Sequence, residues 1–307
     1  MSINFIHKKI FLSIIILVKI NSISYAGSMH LETTTGVGFV QGTIGEYVYD
    51  DNRTLSRLNW NMSNLWYYHY SVALQYEYFF AGIQVHGGIN DTIGTIDDSD
   101  WVDENNPTVK TNYSKHDNYL ERYAAYNGTI GFESGINDII ILKPYIGFLY
   151  KSIKMSARDG YLEYPPGSPK VPVYGIGIIY EQRYYIPYIA FEGKYKIHDS
   201  WAITAGVTIS LFAQASDIDN HVKRDLDFYD DFGGLLYLKS DIGIRYSFHE
   251  NINLGVRCIY EYVPEQKGDM YIIDTSTGAR SNTFSDTAGI SMCILSFECM
   301  IIFKVDL

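Results

Sequence analysis

Phe79-Phe80-Ala81-Gly82-Ile83-Gln84-Val85-His86-Gly87-Gly88-Ile89-Asn90-Asp91-Thr92-Ile93-Gly94-Thr95-Ile96-Asp97-Asp98-Ser99-Asp100-Trp101 alternates for most of its length. Phe79, Ala81, Ile83, Val85, Ile89 and Ile93 on the odd side are apolar, and Gln84, His86, Asn90 and Thr92 on the even side are polar; Phe80, Asp91 and Ile96 break the pattern. A period of two is that of a strand, whose successive side chains point to opposite faces, whereas a helix needs a period near 3.6. The run also far exceeds the usual strand of about five or six residues.

The same pattern returns further along. Ile189, Phe191, Tyr195 and Ile197 alternate with Glu192, Lys194 and Lys196, and Ile203, Ala205, Val207 and Ile209 with Thr204, Gly206, Thr208 and Ser210. Apolar-out, polar-in alternation over long strands is the pattern of an outer-membrane β-barrel. Short turn signals at 134–138, 198–200, 249–251 and around 75–78 interleave with longer polar stretches at 50–54, 102–117, 159–172, 220–232 and 273–282. Between them lie ten expected strands, at 34–49, 54–72, 78–101, 118–133, 139–158, 173–197, 201–219, 233–248, 252–272 and 283–305. The fold class that follows is all-β: a ten-stranded antiparallel transmembrane barrel extending beyond the outer membrane, with short turns on one side and long loops on the other.

Residues 1–26 read as a signal peptide, leaving 27–307 as a single barrel domain. Lys8 and Lys9 precede the apolar Ile10–Val18, and Ser24-Tyr25-Ala26 ends in small residues suited to cleavage. No later stretch is apolar enough for a spanning helix. Without the leader the chain still holds 27 of its 28 Tyr, 13 of its 15 Phe and all 4 Trp, a load that suits interfacial aromatic girdles. Lys8, Lys9 and Lys19 leave with it and no acid does, so 24 Lys and Arg become 21 against 35 Asp and Glu, a net charge of −14. Such a surface repels nucleic acid and attracts basic peptides. Cys258, Cys293 and Cys299 are odd in number; pairing of Cys258 with either of the others is left open, and no metal site is expected at ligand spacing. Lumen residues such as His86 read as an interior polar network rather than a channel lining, since ten strands leave little open pore.

Two acidic clusters stand out, Asp98-Ser99-Asp100 and Asp217-Ile218-Asp219-Asn220-His221. With the N-terminus on the periplasmic side, strands three and seven both run outward and end at the extracellular rim, where Glu46 of strand one joins them. Asp98 and Asp100 share the polar, lumen-facing parity. Asp217, Asp219 and His221 share the odd parity of lipid-facing Ile203 and Val207, so they face inward only if a bulge near Leu211-Phe212 resets the phase; bulges are frequent at barrel rims.

These residues resemble the omptin family of outer-membrane endopeptidases, over nearly all of the mature chain. The resemblance rests on Leu55-Ser56-Arg57-Leu58-Asn59-Trp60, on Asp98-Ser99-Asp100-Trp101 followed by Asn106-Pro107, on Tyr180-Glu181-Gln182-Arg183 with Pro187-Tyr188, and on Asp217-Ile218-Asp219-Asn220-His221. It implies an extracellular catalytic groove in which His221, oriented by Asp219, and Asp98 hold the attacking water, with Asp100 in support. It further implies that Glu46 and Asp217 bind the basic side chain before the scissile bond. Partners would be basic peptides or proteins and outer-membrane lipid, and the protein would act as a monomer without a metal or organic cofactor. Ser114 and His116 match the family, whereas Phe148-Leu149-Tyr150-Lys151-Ser152 lacks the charged members of its lipopolysaccharide-binding stretch. Arg183 is the one clear lipopolysaccharide match, with Lys151 and Lys154 as replacements, so a lipopolysaccharide requirement stays open. The rival reading is a barrel of this kind that serves as an adhesin or structural protein without catalysis.

Overall fold

The computed structural model describes residues 28–51 and 53–307; the expected leader lies outside them. Ten long strands close into a ring: β1 (Met29–Asp50), β2 (Arg53–Tyr76), β3 (Phe79–Gly88, resuming as Thr92–Asp100), β4 (Asn112–Phe132), β5 (Ile140–Glu163), β6 (Ile176–His198), β7 (Trp201–His221), β8 (Leu226–His249), β9 (Ile252–Asp274) and β10 (Phe284–Asp306). Each pairs antiparallel with its sequence neighbours, and β1 closes the ring on β10 from His30↔Asp306 to Val48↔Ala288. Closure leaves no unpaired edge, which is what a sheet in lipid requires. Two-residue strands Ser134–Gly135 and Val171–Pro172 extend β5 at its two ends. Among the described residues no helix forms.

The strands run 21 to 24 residues where they are unbroken, whereas a spanning strand needs about 9–11. The half next to the short turns carries exposed apolar side chains, Val37, Ile83, Ile130, Ile146, Ile189 and Val207 among them, and is the lipid-facing belt. Beyond the aromatic level of Trp66, Tyr126 and Tyr185, the strands continue as a wall outside the membrane. The core of packed side chains sits mainly inside that wall: Trp60, Ile96, Met155, Tyr180, Leu235, Val263 and Ile290 are fully buried there.

Several expected boundaries move. β4 begins at Asn112 rather than 118 and β8 at Leu226 rather than 233, so the stretch expected as a loop at 220–232 contracts to 222–225. Both segments lie in the wall outside the membrane, where the outer face is polar and the inner face lines a polar groove, so the apolar–polar contrast vanishes. Ile93, counted with the lipid face, is fully buried, as is Ile96. The interruption of β3 between Gly88 and Thr92, followed by a register shift between Thr92 and Gly94, turns Ile93 inward. Cys258, Cys293 and Cys299 are all free thiols.

Inside the lipid-facing half the lumen is filled by an ion-paired network. Lys151 Nζ donates to both oxygens of Glu261, at 2.7 and 2.8 Å, and Tyr237 donates to Glu261 at 2.6 Å. Arg257 and Tyr67 hold Glu298, at 2.6 and 2.7 Å, and His86 stacks on Tyr67 with ring centroids 5.0 Å apart. The network bridges facing walls and fills the lumen with paired Lys–Glu and Arg–Glu charge.

Candidate active site

The strand-seven cluster reaches the groove through a bulge. Along β7 the even positions Thr204, Thr208 and Ser210 are buried; Leu211 and Phe212 are then exposed in succession, and from Ala213 the odd positions are buried. The β7–β8 register shifts between Ser210 and Ala213 and again before Ala215. The phase is therefore reset where the parity argument requires it, and Asp217 and Asp219 point into the groove, 2% and 3% exposed.

On the other side, Asp98 lies opposite buried Leu58 of β2 and shares the face of Ile96, which lies opposite Trp60. Asp100 follows on the same face, with Asn112 donating to it at 3.1 Å. Glu46 also pairs with Leu58, from β1, and is buried. β1, β3 and β7 thus bring Glu46, Asp98, Asp100, Asp217, Asp219 and His221 together at the loop end of the barrel.

His221 Nε2 lies 2.6 Å from Asp219 Oδ2, and Phe228 packs against the ring at 5.1 Å between centroids. Arg224 donates to Nδ1 at 3.4 Å. When Asp219 is ionised, with a carboxylate on one nitrogen and a donor on the other, the proton sits on Nε2 and Nδ1 carries the lone pair. Burial holds His221 below the usual histidine value; Glu46, Asp98 and Asp100 oppose that effect and Arg224 adds to it. Burial and then Asp100 push Asp98 up to about 7. Asp219 rises to about 8, through burial and then the charges of Asp230 and Asp98, against the lowering effect of its contact with Glu46. Glu46 itself is held well above the usual range by burial and then by Asp219.

Behind Asp98 a chain of polar atoms runs inward. Ser114 Oγ is 3.3 Å from Asp98 Oδ2 and 2.9 Å from His116 Nε2, and His116 Nδ1 meets the Asp159 carbonyl at 2.5 Å. The carbonyl only accepts, so Nδ1 carries a proton, and the Ser114 hydroxyl donates to Asp98. This contact favours the ionised form of Asp98, against the burial and the Asp100 charge that raise it.

Trp60 and Tyr180 stack at 5.1 Å and 15°. Trp60 Nε1 donates to Glu46 at 3.0 Å and the Tyr180 hydroxyl to Asp217 at 2.8 Å, so one aromatic pair braces both carboxylates. Asp230 of β8 lies directly across from Asp217 and is 3% exposed. Sequence reasoning missed it because it fell in a stretch, Asp225 to Asp231, whose acidity reads as a loop. The available signal was Leu226, Phe228 and Asp230 on one parity, matching the inward run of β7.

Arg183 is not at this site. It lies on the outer wall of β6, just above lipid-facing Tyr150 and Tyr185, and donates to Glu181 at 2.7 Å; Arg122 of β4 holds the same carboxylate. Lys151, the expected replacement, is unavailable to lipid because it is buried on Glu261 inside the lumen. Lys154 lies beside the Arg183 cluster, opposite Glu181. Among the described residues no group of three metal-ligating side chains is placed to hold an ion.

The profile of the Omptin family matches residues 28–303. The plasminogen activator of Yersinia pestis is 27% identical over 273 residues, covering 83% of this chain and 83% of its own length. The outer membrane protease OmpP of Escherichia coli is 23% identical, covering 87% and 91%. The crystal structure of the outer membrane protease OmpT from E. coli superposes with a TM-score of 0.84 at 19% identity, covering 93% of this chain and 99% of that one.

Proposed function

We propose that this chain, which belongs to the omptin family, is an outer-membrane endopeptidase that cuts beside basic residues with a water activated by His221 and Asp98 at the extracellular rim. The observation that carries this reading is the Asp219–His221 contact at 2.6 Å on one wall of a groove whose other wall presents Asp98 and Asp100. The Nδ1 lone pair of His221 takes a proton as the water attacks the scissile carbonyl; Asp219 orients the ring and stabilises the imidazolium. Asp98 holds the same water from the opposite wall, and Asp100 supports it. The proton gained by His221 then passes to the leaving amine.

The empty groove cannot ionise all of its facing carboxylates, since like charges raise one another's pKa. A substrate arginine or lysine brings the missing positive charge to Glu46 and Asp217, lowers the neighbouring carboxyl pKa values and leaves Asp219 and Asp98 charged for catalysis. Basic specificity and activation are then one event. Arg183 is the proposed contact for a lipopolysaccharide phosphate, with Arg122 beside it; no metal or organic cofactor takes part.

The test is cleavage of a quenched Arg-Arg peptide by the refolded barrel, with and without lipopolysaccharide, beside His221→Ala and Asp98→Ala. Each variant should lose about 10³-fold or more in kcat while retaining the barrel's heat-shifted mobility. Equal cleavage by parent and variants removes the catalytic assignment, and an inert, folded parent favours the adhesin reading.

A further inference from the structure

Asp230 lies outside the catalytic water site, yet it is buried face to face with Asp217 across the β7–β8 pair. Tyr180 satisfies one oxygen of Asp217. The buried Oδ1 atoms of Asp217 and Asp230 have no hydrogen-bond partner among the described residues. Two carboxyl groups in such contact hold one proton between them in the empty protein, because a second charge in the same dry space has nothing to balance it.

The groups facing the pair come from every adjoining element. They are Glu46 on β1, Tyr180 and Tyr184 on β6, Asp219 on β7 and Asp231 on β8 itself; the β9 residue opposite Asp230 is Met270. No cation is among them. Mid-barrel Glu261 and Glu298, also buried, each have their own Lys or Arg. The Asp217–Asp230 pair is a cation site whose cation has to come from outside the chain.

We infer that Asp230 is a specificity-determining residue: with Asp217 it forms a two-carboxylate seat for the substrate's basic side chain, and an entering guanidinium or ammonium replaces the proton the pair shares. This rests on the peptidase reading for the identity of the ligand, but not for its binding. The exchange balances: one proton leaves to solvent for each cation bound, and the pair goes from one negative charge to two. A guanidinium, with its fork of donors, can meet both unpartnered oxygens at once.

The experiment titrates Trp60 fluorescence with an arginine peptide amide and with its neutral citrulline isostere, in parent and Asp230→Asn, between pH 5.5 and 8.5. Trp60 stacks on Tyr180, which hydrogen-bonds Asp217, so its emission senses the seat. In the parent, arginine affinity should fall as the pH drops through the range in which the pair takes up its proton. In Asp230→Asn it should be about tenfold weaker at pH 8.5, the cost of one lost charge-assisted contact. Its fall on acidification should also begin at lower pH, because the variant removes the largest charge acting on Asp217 while Glu46 remains; the two curves should converge. Citrulline should show neither effect. Should Asp230→Asn not fold, Asp217→Asn takes its place with the same expectation. Parallel pH curves, or equal losses for arginine and citrulline, would overturn the assignment. A parent that binds arginine in this way but cleaves no peptide would remove the peptidase reading and leave the seat standing.

Discussion

The lumen of this barrel buries charged groups in both of its halves, yet the two are wired in opposite ways. In the lipid-facing half the buried acids Glu261 and Glu298 each have a counter-charge, Lys151 on Glu261 and Arg257 on Glu298. In the wall beyond the membrane, Glu46, Asp98, Asp217, Asp219 and Asp230 face one another, with four of their buried oxygens unpartnered among the described residues. Burying unpaired charge costs far more than burying a matched pair. The two lower pairs are matched and act as scaffold. The upper cluster is left short of positive charge, and on the function proposed above a basic substrate supplies it.

That contrast can be broken from the scaffold side first. Lys151→Met should cost about 3–5 kcal/mol of barrel stability, because it strands Glu261 with its hydroxyl donor alone, while the folded fraction keeps its KM for a basic peptide. Urea unfolding in detergent reads the first and peptide kinetics the second; a stability near that of the parent would show that the lower pair is not a matched scaffold. Lys151→Met combined with Glu261→Gln should recover most of the loss.

From the groove side, kcat/KM should fall on acidification by about tenfold per pH unit for each of Asp98 and Asp219 once the pH drops below its pKa, which burial and neighbouring acids hold at about 7 and about 8. Burial keeps His221 low, so its protonation contributes only at more acid pH. Asp100→Asn removes the charge that acts most on Asp98 and should move this limb to lower pH. An acid limb near pH 4, the range of an ordinary carboxylate, would contradict the shared-charge picture.

The smallest effect has the opposite sign to the usual mutation. Asp217 and Asp230 titrate higher in the folded protein than in the unfolded chain, Asp230 at about 7. The folded state therefore binds more protons in this window, and stability falls as the pH rises from about 4 through 7. Asp230→Asn should then stabilise the loop ends of β7 and β8 by about 1–2 kcal/mol at pH 8 and leave them unchanged near pH 4. Hydrogen exchange of the amides at 215–219 and 228–232 would report it, and faster exchange at pH 8 would argue against a strained acidic pair.

The legibility of the sequence divides along the same line. Where lipid lies on one side and the lumen on the other, as from Phe79 to His86 or Ala202 to Ser210, alternation fixed both strand and face, and the ring of ten followed from counting. Past the membrane the outer surface meets water, and Tyr113, Lys115 and Asp117 alternate with Ser114, His116 and Asn118 without an apolar partner face. The start of β4 was hidden for that reason, and so was the lower part of the 220–232 stretch with Asp230 in it. The clusters at Asp98 and Asp219 remained readable because strand order alone assigns them to one end. The bracing of Glu46 and Asp217 by Trp60 and Tyr180 was not, since stacking across a lumen leaves no trace in spacing.

The bulge at Leu211-Phe212 has a consequence for how such a chain can change over generations. An inserted residue between belt and groove uncouples two selection pressures that would otherwise bind every position of β7 to one parity. The membrane half can drift among apolar residues under the demands of lipid, while the outer half explores new specificities. Loss of one residue there would leave a barrel that still inserts and looks intact from the bilayer, with its acids turned to the outside. The inward parity of Asp217, Asp219 and His221 thus depends on one position that the membrane belt does not use.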